Sequence, residues 1–141
     1  MYGPGLDIYN GSSAFLLGLN ENTFEYPLFF MISPPMNGNN QIILMGYKES
    51  VSYELLRMSV PYAVFSNWVH IAVTKNATTI KIYINGSLIA ETSPTDLSGY
   101  FSAFSGTKSF IGTSTTPIDE FRVSNIVRWT SNFTPPTAPY A

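Results

Sequence analysis

Two adjacent carboxylates, Asp119 and Glu120, precede Arg122 in the stretch PIDEFRVSN (117–125). A carboxylate pair catalyses glycoside hydrolysis when both groups lie on one wall of a cleft, roughly 5–10 Å apart. The composition of this stretch predicts a strand, in which neighbouring side chains point to opposite faces. We therefore expect Asp119 on the apolar face with Phe121, and Glu120 on the opposite face with Arg122. Carboxylates arranged in this way do not predict a hydrolase.

Asp119 could serve as a metal ligand or as part of the framework. Calcium takes about six to eight oxygen ligands from several carboxylates and carbonyls, whereas Asp119 has no acidic neighbour on its own predicted face. A half-buried carboxylate must otherwise accept hydrogen bonds from backbone or hydroxyl groups, because burial without partners is costly. We predict a framework role for Asp119 and Arg122. Calcium at Asp119 is the alternative, and no other cofactor is expected.

His70 is the only histidine, and the chain contains no cysteine. A histidine base needs a partnered nucleophile, but the sequence has no G-x-S-x-G elbow. It also lacks phosphate-binding loops of the G-x-x-x-x-G-K-[ST] type. We therefore predict that the protein is not an enzyme, and that His70 and Trp68 are packing residues.

The composition favours β-structure. Charged residues make up only 11% of the 141 residues, and the polar residues are mainly neutral, with 16 Ser, 13 Thr and 11 Asn beside 9 Tyr and 10 Phe. With a net charge of −2 and scattered basic residues, no nucleic-acid face is expected. No apolar run approaches about 18 residues, so no membrane insertion is expected. One domain over residues 1–141 is the simplest organisation.

The middle of the chain predicts a three-stranded antiparallel meander. Apolar and polar residues alternate in WVHIAVT (68–74), and IKIYI (80–84) places its three isoleucines on one face. Asn85 and Gly86 then lead into SLIAET (87–92). Asn-Gly between two such segments indicates a hairpin with a type I′ turn, which needs positive φ at both central residues.

Further short strands are predicted on either side of the meander. They cover residues 6–11, 13–19, 24–33, 41–47, 108–113 and 118–124. Residues 48–60, KESVSYELLRMSV, fit either a helical face or strand alternation, and the surrounding β-structure favours a strand. Eight or more short strands without cysteine indicate an all-β fold, an antiparallel β-sandwich or jelly roll of two packed sheets.

Several of these segments together resemble the concanavalin A-like lectin/glucanase superfamily. They are WVHIAVTKNATTIKIYINGSLIAET, FIGT (110–113), PIDEFRVSN and the tail VRWTSNFTPPTAPY (127–140). Within the superfamily the chain looks like laminin-G-like domains of phage virion and bacterial surface proteins. The resemblance implies two curved sheets packed face to face, carbohydrate binding as the most frequent activity, and calcium at a sheet rim in some members. Glucanases of the superfamily carry a Glu-x-Asp-x-Glu strand, which this sequence lacks.

Two segments, PPMNGNNQ (34–41) and YKESVSYE (47–54), predict a saccharide-binding rim. Side-chain amides and an aromatic platform are the groups that recognise sugars, which gives the candidates Asn37, Asn39, Asn40, Tyr47 and Tyr53. An ordinary solvated loop is the alternative. Trp129 is a further candidate, because an exposed indole stacks on sugar rings and anchors interfaces. Its alternative is packing within a C-terminal tail (126–141) that covers the sheet edge.

From these features we expect a non-catalytic adhesion module on a virion or extracellular surface. It would bind a glycan weakly, as part of a multimeric assembly that multiplies the affinity. The alternative is a structural decoration or assembly protein of a phage capsid or tail, whose partners are other virion proteins and not a sugar.

Overall fold

The computed structural model of the chain describes residues 16–19, 28–32, 37–48, 51–92, 97, 109–111, 119–122 and 124–138. Within these ranges the regular structure is β, apart from one short 3-10 helix at Tyr62–Ser66. The strands are β1 (Leu16–Leu19), β2 (Leu28–Ile32), β3 (Asn39–Lys48), β4 (Val51–Pro61), β5 (Ile71–Lys75), β6 (Ile80–Ile84), β7 (Ser87–Glu91) and β8 (Ser109–Ile111). The strand predicted at residues 6–11 lies outside the described residues.

The strands form two antiparallel sheets, as predicted. One has five strands in the order β4-β3-β2-β1-β8, and the other has three strands in the order β5-β6-β7. The ambiguous segment 48–60 is confirmed as a strand, since β4 pairs along its length with β3. The meander is also confirmed, with Ile71 opposite Ile84 and Lys81 opposite Glu91.

The inner faces of the two sheets share one hydrophobic core. Alternate residues of each strand point to the same face, so each sheet contributes a row of buried aliphatic side chains. The core comprises Ile32, Ile42, Leu44 and Val60 from the larger sheet, Ile80, Ile82 and Ile84 from the smaller, and Phe65, Val69 and Leu97 from the connections. Burial of each of these aliphatic side chains contributes roughly 1.5–3 kcal/mol to the free energy of folding.

The hairpin between β6 and β7 has the predicted turn. Asn85 and Gly86 have φ values of 50° and 81°, which are the positive values that a type I′ turn requires. The Asn85 side chain also ties the turn to the segment before β5, because its Oδ1 accepts the His70 N–H at 2.9 Å. The His70 carbonyl in turn accepts the Asn85 N–H at 2.8 Å. The turn between the second and third strands of the meander is thereby tied to the start of the first strand.

The strand predicted at 118–124 is wrong. Residues 119–122 and 124 carry no strand, and Glu120 has a φ of 54°. The Asp119 side chain accepts the Glu120 N–H at 2.9 Å, a local hydrogen bond that competes with strand pairing. Asp119 and Arg122 are both exposed, and Phe121 is 46% exposed, so the described residues of this segment present no apolar face to the core.

Trp68 is not the packing residue that alternation predicted. Regular pairing of β5 begins only at Ile71, after an isolated bridge at Val69. Val69 is buried in the core, whereas Trp68 is 46% exposed. The strand period therefore did not apply at this position.

Candidate functional site

The predicted asparagine candidates lie at the start of β3. Asn37 is exposed in a turn with Gly38, Asn39 is half-buried, and Asn40 is completely buried on the core side of the sheet. Asn39 donates through Nδ2 to the Asn37 carbonyl at 3.3 Å. A side chain buried like that of Asn40 cannot contact a saccharide at the surface.

The tyrosine candidates lie at the other end of the same hairpin. Asn39 pairs with Pro61, whereas Gly46 pairs with Tyr53. A strand rises about 3.3 Å per residue, so the seven-residue offset from Asn39 to Gly46 separates the two groups by about 23 Å. Tyr53 is exposed, and the Tyr47 side chain lies outside the description. The expectation that these residues form one rim is therefore wrong.

The residues beside Tyr53 form an exposed ion pair and not a cleft. Arg57 donates to Glu54 through Nε at 3.0 Å and through a terminal guanidinium nitrogen at 2.5 Å. The hydrogen bond from Arg57 lowers the pKa of the Glu54 carboxyl. Because the two groups satisfy each other at an exposed position, they do not suggest a ligand site.

The C-terminal tail, by contrast, crosses the outer face of the three-stranded sheet. Lys81 and Tyr83 lie on this outer face, because they alternate with the core isoleucines of β6. The tail follows the sheet through the following hydrogen bonds: Phe133 N–H to the Gly86 carbonyl at 2.9 Å, Leu88 N–H to Asn132 Oδ1 at 2.8 Å, Lys81 Nζ to the Thr130 carbonyl at 3.1 Å, and Tyr83 OH to the Trp129 carbonyl at 3.4 Å. This is the tail packing that was the alternative for Trp129, on a sheet face and not only at its edge.

Four aromatic rings fix the tail on the sheet. Trp129 stacks on Phe133 with ring centroids 4.1 Å apart and planes within 11°. His70 meets Trp129 edge-on at 5.8 Å and Phe133 at 5.6 Å, and Tyr83 meets Phe133 at 5.4 Å. Tyr83 is completely buried, although it points away from the core. Burial lowers the pKa of His70, which favours its neutral form.

Gly86 allows the tail to approach this closely. A Cβ at this position would lie 1.8 Å from the Phe133 carbonyl oxygen and 3.0 Å from Pro135 Cδ. The same glycine also has the positive φ of the turn. The Asn-Gly pair therefore forms the hairpin and also leaves room for the backbone of the tail.

A shallow pocket of about 130 Å³ opens between the tail and the sheet. Its lining combines one aromatic ring, one amide, one ammonium group and several hydroxyls, from Thr74, Asn76, Thr79, Lys81, Val127, Trp129 and Thr130. The Asn76 side chain organises one wall, because its Oδ1 accepts the N–H groups of Thr78 at 2.9 Å and Thr79 at 2.8 Å. Trp129 is thus the one predicted binding residue that lies in this pocket.

The other lining residues were not predicted from the sequence. One signal was present: strand alternation in β6 placed Lys81 on the face opposite the isoleucines. A second was KNATT, in which an asparagine before two threonines suits a side-chain-capped turn. What the sequence did not show is that the tail, about 50 residues further on, would lie over this face.

The described residues do not fit a calcium site. Nowhere in the described ranges do three or more histidine or acidic side chains gather in a group that could hold a metal ion. Asp119 is exposed, and its Oδ1 already accepts the Glu120 N–H. Calcium requires about six to eight oxygens, which a lone carboxylate does not supply. In the same part of the chain, no helix has the length and apolarity needed to cross a membrane.

The architecture defines an antiparallel two-sheet sandwich with a small polar pocket on one outer face. The chain belongs to the concanavalin A-like lectin/glucanases superfamily, whose laminin-G-type family model matches residues 9–130. The superfamily that the sequence resembles is thereby confirmed. Comparisons with curated proteins and with solved structures found no match.

Proposed function

We propose that this domain is a non-catalytic adhesion module of a virion or extracellular surface, and that the pocket beside Trp129 binds a glycan. The observation that supports the proposal is the grouping of Trp129 and Asn76 in one pocket with threonine hydroxyls. An indole ring offers an apolar surface for the C–H face of a sugar, while amides and hydroxyls meet its hydroxyl groups. Membership of a superfamily of lectins and glucanases supports the same class of ligand.

Trp129 is held in place before any ligand binds. Phe133 covers one face of the indole at 4.1 Å, and the His70 ring abuts it at 5.8 Å. Phe133 itself is fixed by its N–H bond to the Gly86 carbonyl. A ring that is already immobile loses little conformational entropy on binding, which favours affinity from a small contact.

The size of the pocket indicates weak binding at a single site. Its volume of about 130 Å³ lies below the roughly 300–1,000 Å³ of typical ligand pockets. A pocket of this size accommodates part of one saccharide residue. Useful adhesion would then depend on several copies acting together, as repeated subunits of a surface assembly would provide.

The pocket also lacks the groups for hydrolysis. Its lining contains no carboxylate, whereas glycoside hydrolysis uses two on one cleft. Glu91, whose carboxylate lies 3.7 Å from Lys81, belongs to no cluster of three or more acidic or histidine side chains among the described residues. These features support binding without bond cleavage.

A glycan array probed with the domain displayed on a multivalent carrier tests the proposal. We expect selective binding that falls about thirtyfold in Trp129→Ala, since truncation of an aromatic residue at the centre of a contact costs about 2 kcal/mol. Trp68→Ala is the matched control, because this exposed indole lies outside the pocket. Asn76→Asp keeps the Oδ acceptor of the turn while removing the NH₂ donor, and it should weaken binding without unfolding the wall. Silence across a broad array, or equal loss in both tryptophan variants, would refute this site.

A structural decoration or assembly protein is the second candidate. The segment that leads into the pocket exposes three apolar side chains close together in sequence: Phe121 at 46%, Ile126 at 65% and Val127, which also lines the pocket, at 40%. Exposed apolar side chains of this kind often mark contacts with other proteins. This candidate predicts no glycan binding and burial of these three side chains in the parent assembly, which hydroxyl-radical footprinting of the free and assembled forms would measure.

A further inference from the structure

We infer that the glycan bound beside Trp129 carries an anionic group, a carboxylate or a sulfate ester, which Lys81 and the Asn76 amide receive. The inference rests on the proposed function and specifies the ligand class for the same pocket. It depends on which hydrogen-bonding groups of the lining are already used.

The acceptors of the pocket are largely engaged within the protein. Asn76 Oδ1 accepts two backbone N–H bonds, from Thr78 and Thr79. The Thr130 carbonyl accepts the Lys81 ammonium at 3.1 Å, and the Trp129 carbonyl accepts the Tyr83 hydroxyl at 3.4 Å. A ligand hydroxyl that needs to donate therefore finds mainly the threonine hydroxyls as acceptors in this lining.

The donors of the same pocket retain capacity. An amide has two N–H donors on Nδ2, and no described residue accepts a hydrogen bond from Asn76 Nδ2. A lysine ammonium has three donors, of which one is directed to Thr130. The Trp129 indole nitrogen can only donate. Apart from the threonine hydroxyls, which donate and accept alike, the lining thus offers mainly donors to a ligand.

Lys81 also brings a positive charge that its acidic neighbour balances loosely. Glu91 Oε2 lies 3.7 Å from Lys81 Nζ, which is longer than a hydrogen bond, and Glu91 is the more exposed of the two, at 42% against 23%. An exposed pair of this kind contributes at most about 1 kcal/mol. An anionic ligand group can therefore compete with Glu91 for the ammonium.

Donors and a charge together discriminate between sugar classes. The hydroxyls of a neutral hexose donate as well as accept, whereas carboxylate and sulfate oxygens only accept. Hydrogen bonds to an ionised group are roughly twice as strong as those between neutral groups. The wall of Asn76 and Lys81 therefore favours an anionic saccharide over its neutral counterpart.

Matched sugar pairs test this inference. Oligosaccharides ending in glucuronate and glucose, and in galacturonate and galactose, differ within each pair only at the carboxylate carbon, and 6-O-sulfated forms supply the second anionic source. We expect the anionic member to bind about tenfold more tightly at about 50 mM NaCl, and this preference to shrink at about 500 mM as the charge is screened. Preference for the uronates or for the sulfated forms would identify the source of the anion.

Three variants connect the preference to the residues. Lys81→Gln should abolish the difference between the members of each pair, while Lys81→Arg should preserve it. Glu91→Gln removes the competing carboxylate and should raise affinity for the anionic member about two- to fivefold. Equal binding of neutral and anionic members by the unmodified protein would overturn the inference and leave the proposed function intact. Absence of binding to every member would also overturn the inference, whereas only silence across the broad glycan array would refute the proposed function.

Discussion

Gly86→Ala should detach the C-terminal tail from the sheet. The new Cβ would lie 1.8 Å from the Phe133 carbonyl oxygen and 2.9 Å from its carbonyl carbon, both of them backbone atoms. Backbone at this distance cannot move aside without breaking the hydrogen bond from Phe133 N–H to the Gly86 carbonyl. The hydrogen bonds between Asn85 and His70 hold the turn in place, so the tail is the part that must move.

The expected destabilisation can be compared with that of a second glycine variant. Gly38 has a φ of 79°, close to the 81° of Gly86, but a Cβ there would meet nothing within 4 Å. Gly38→Ala should therefore cost only the left-handed strain of about 1–2 kcal/mol. Gly86→Ala adds about 1 kcal/mol for the broken hydrogen bond and about 0.5–1.5 kcal/mol for each pair of aromatic rings that separates when the tail moves away. Three such pairs join the tail to the sheet, so we expect the difference between the two variants to be about 2.5–5.5 kcal/mol.

Urea denaturation of both variants measures this difference directly. In a Trp68→Phe background, Trp129 is the only indole, and its emission should shift to the red in Gly86→Ala before global unfolding. The same signal should stay unchanged in Gly38→Ala. If the two alanine variants are equally stable and Trp129 emission is unaffected, the tail does not depend on Gly86 and its proposed attachment at the turn is refuted.

Two further predictions concern the groups under and along the tail. Burial lowers the pKa of His70 below its ordinary value of about 6.5, so the unfolded chain takes up a proton that the folded chain refuses. The free energy of unfolding should therefore fall as pH drops from about 7 through about 6.5, and it should level off below the folded-state pKa of His70. This pH dependence should vanish in His70→Gln. If it persists in that variant, His70 is not the group responsible for it. Asn132→Ala leaves the Leu88 N–H without its side-chain acceptor and should cost about 1 kcal/mol in denaturation experiments, whereas Asn132→Asp keeps an acceptor and should cost less; equal losses would contradict the role of that bond.

Most of the described fold was predictable because its signals are local. The alternation of IKIYI and the Asn85-Gly86 turn each depend on a few neighbouring residues, and both are confirmed. The failures occur where a local rule met a competing contact. At Asp119 the side chain bonds the next N–H and ends the strand pattern. At Trp68 the strand had not yet begun, so alternation carried no information there.

The candidate site was only partly predictable, because it is built from distant segments. Tyr53 and Asn37 were selected for their residue types, but the register of β3 and β4 holds them at opposite ends of a hairpin. Trp129 was selected for its residue type and lies in the pocket, yet its neighbours there depend on contacts such as that of Lys81 with Thr130, which is 49 residues away. Composition alone does not indicate which sheet face a tail will cover.

The residues that hold Trp129 in place extend beyond the family match, which ends at residue 130. Phe133 stacks on the indole, and its backbone bonds to Gly86, a contact between a matched turn and an unmatched tail. A relative with the same sandwich but a bulkier residue at the turn could not bring its tail this close. The stacked pair of Trp129 and Phe133 would then be absent, although the fold remained. The carbohydrate binding proposed for this pocket should therefore follow the pairing of Gly86 with the Phe133 backbone, and not membership of the superfamily.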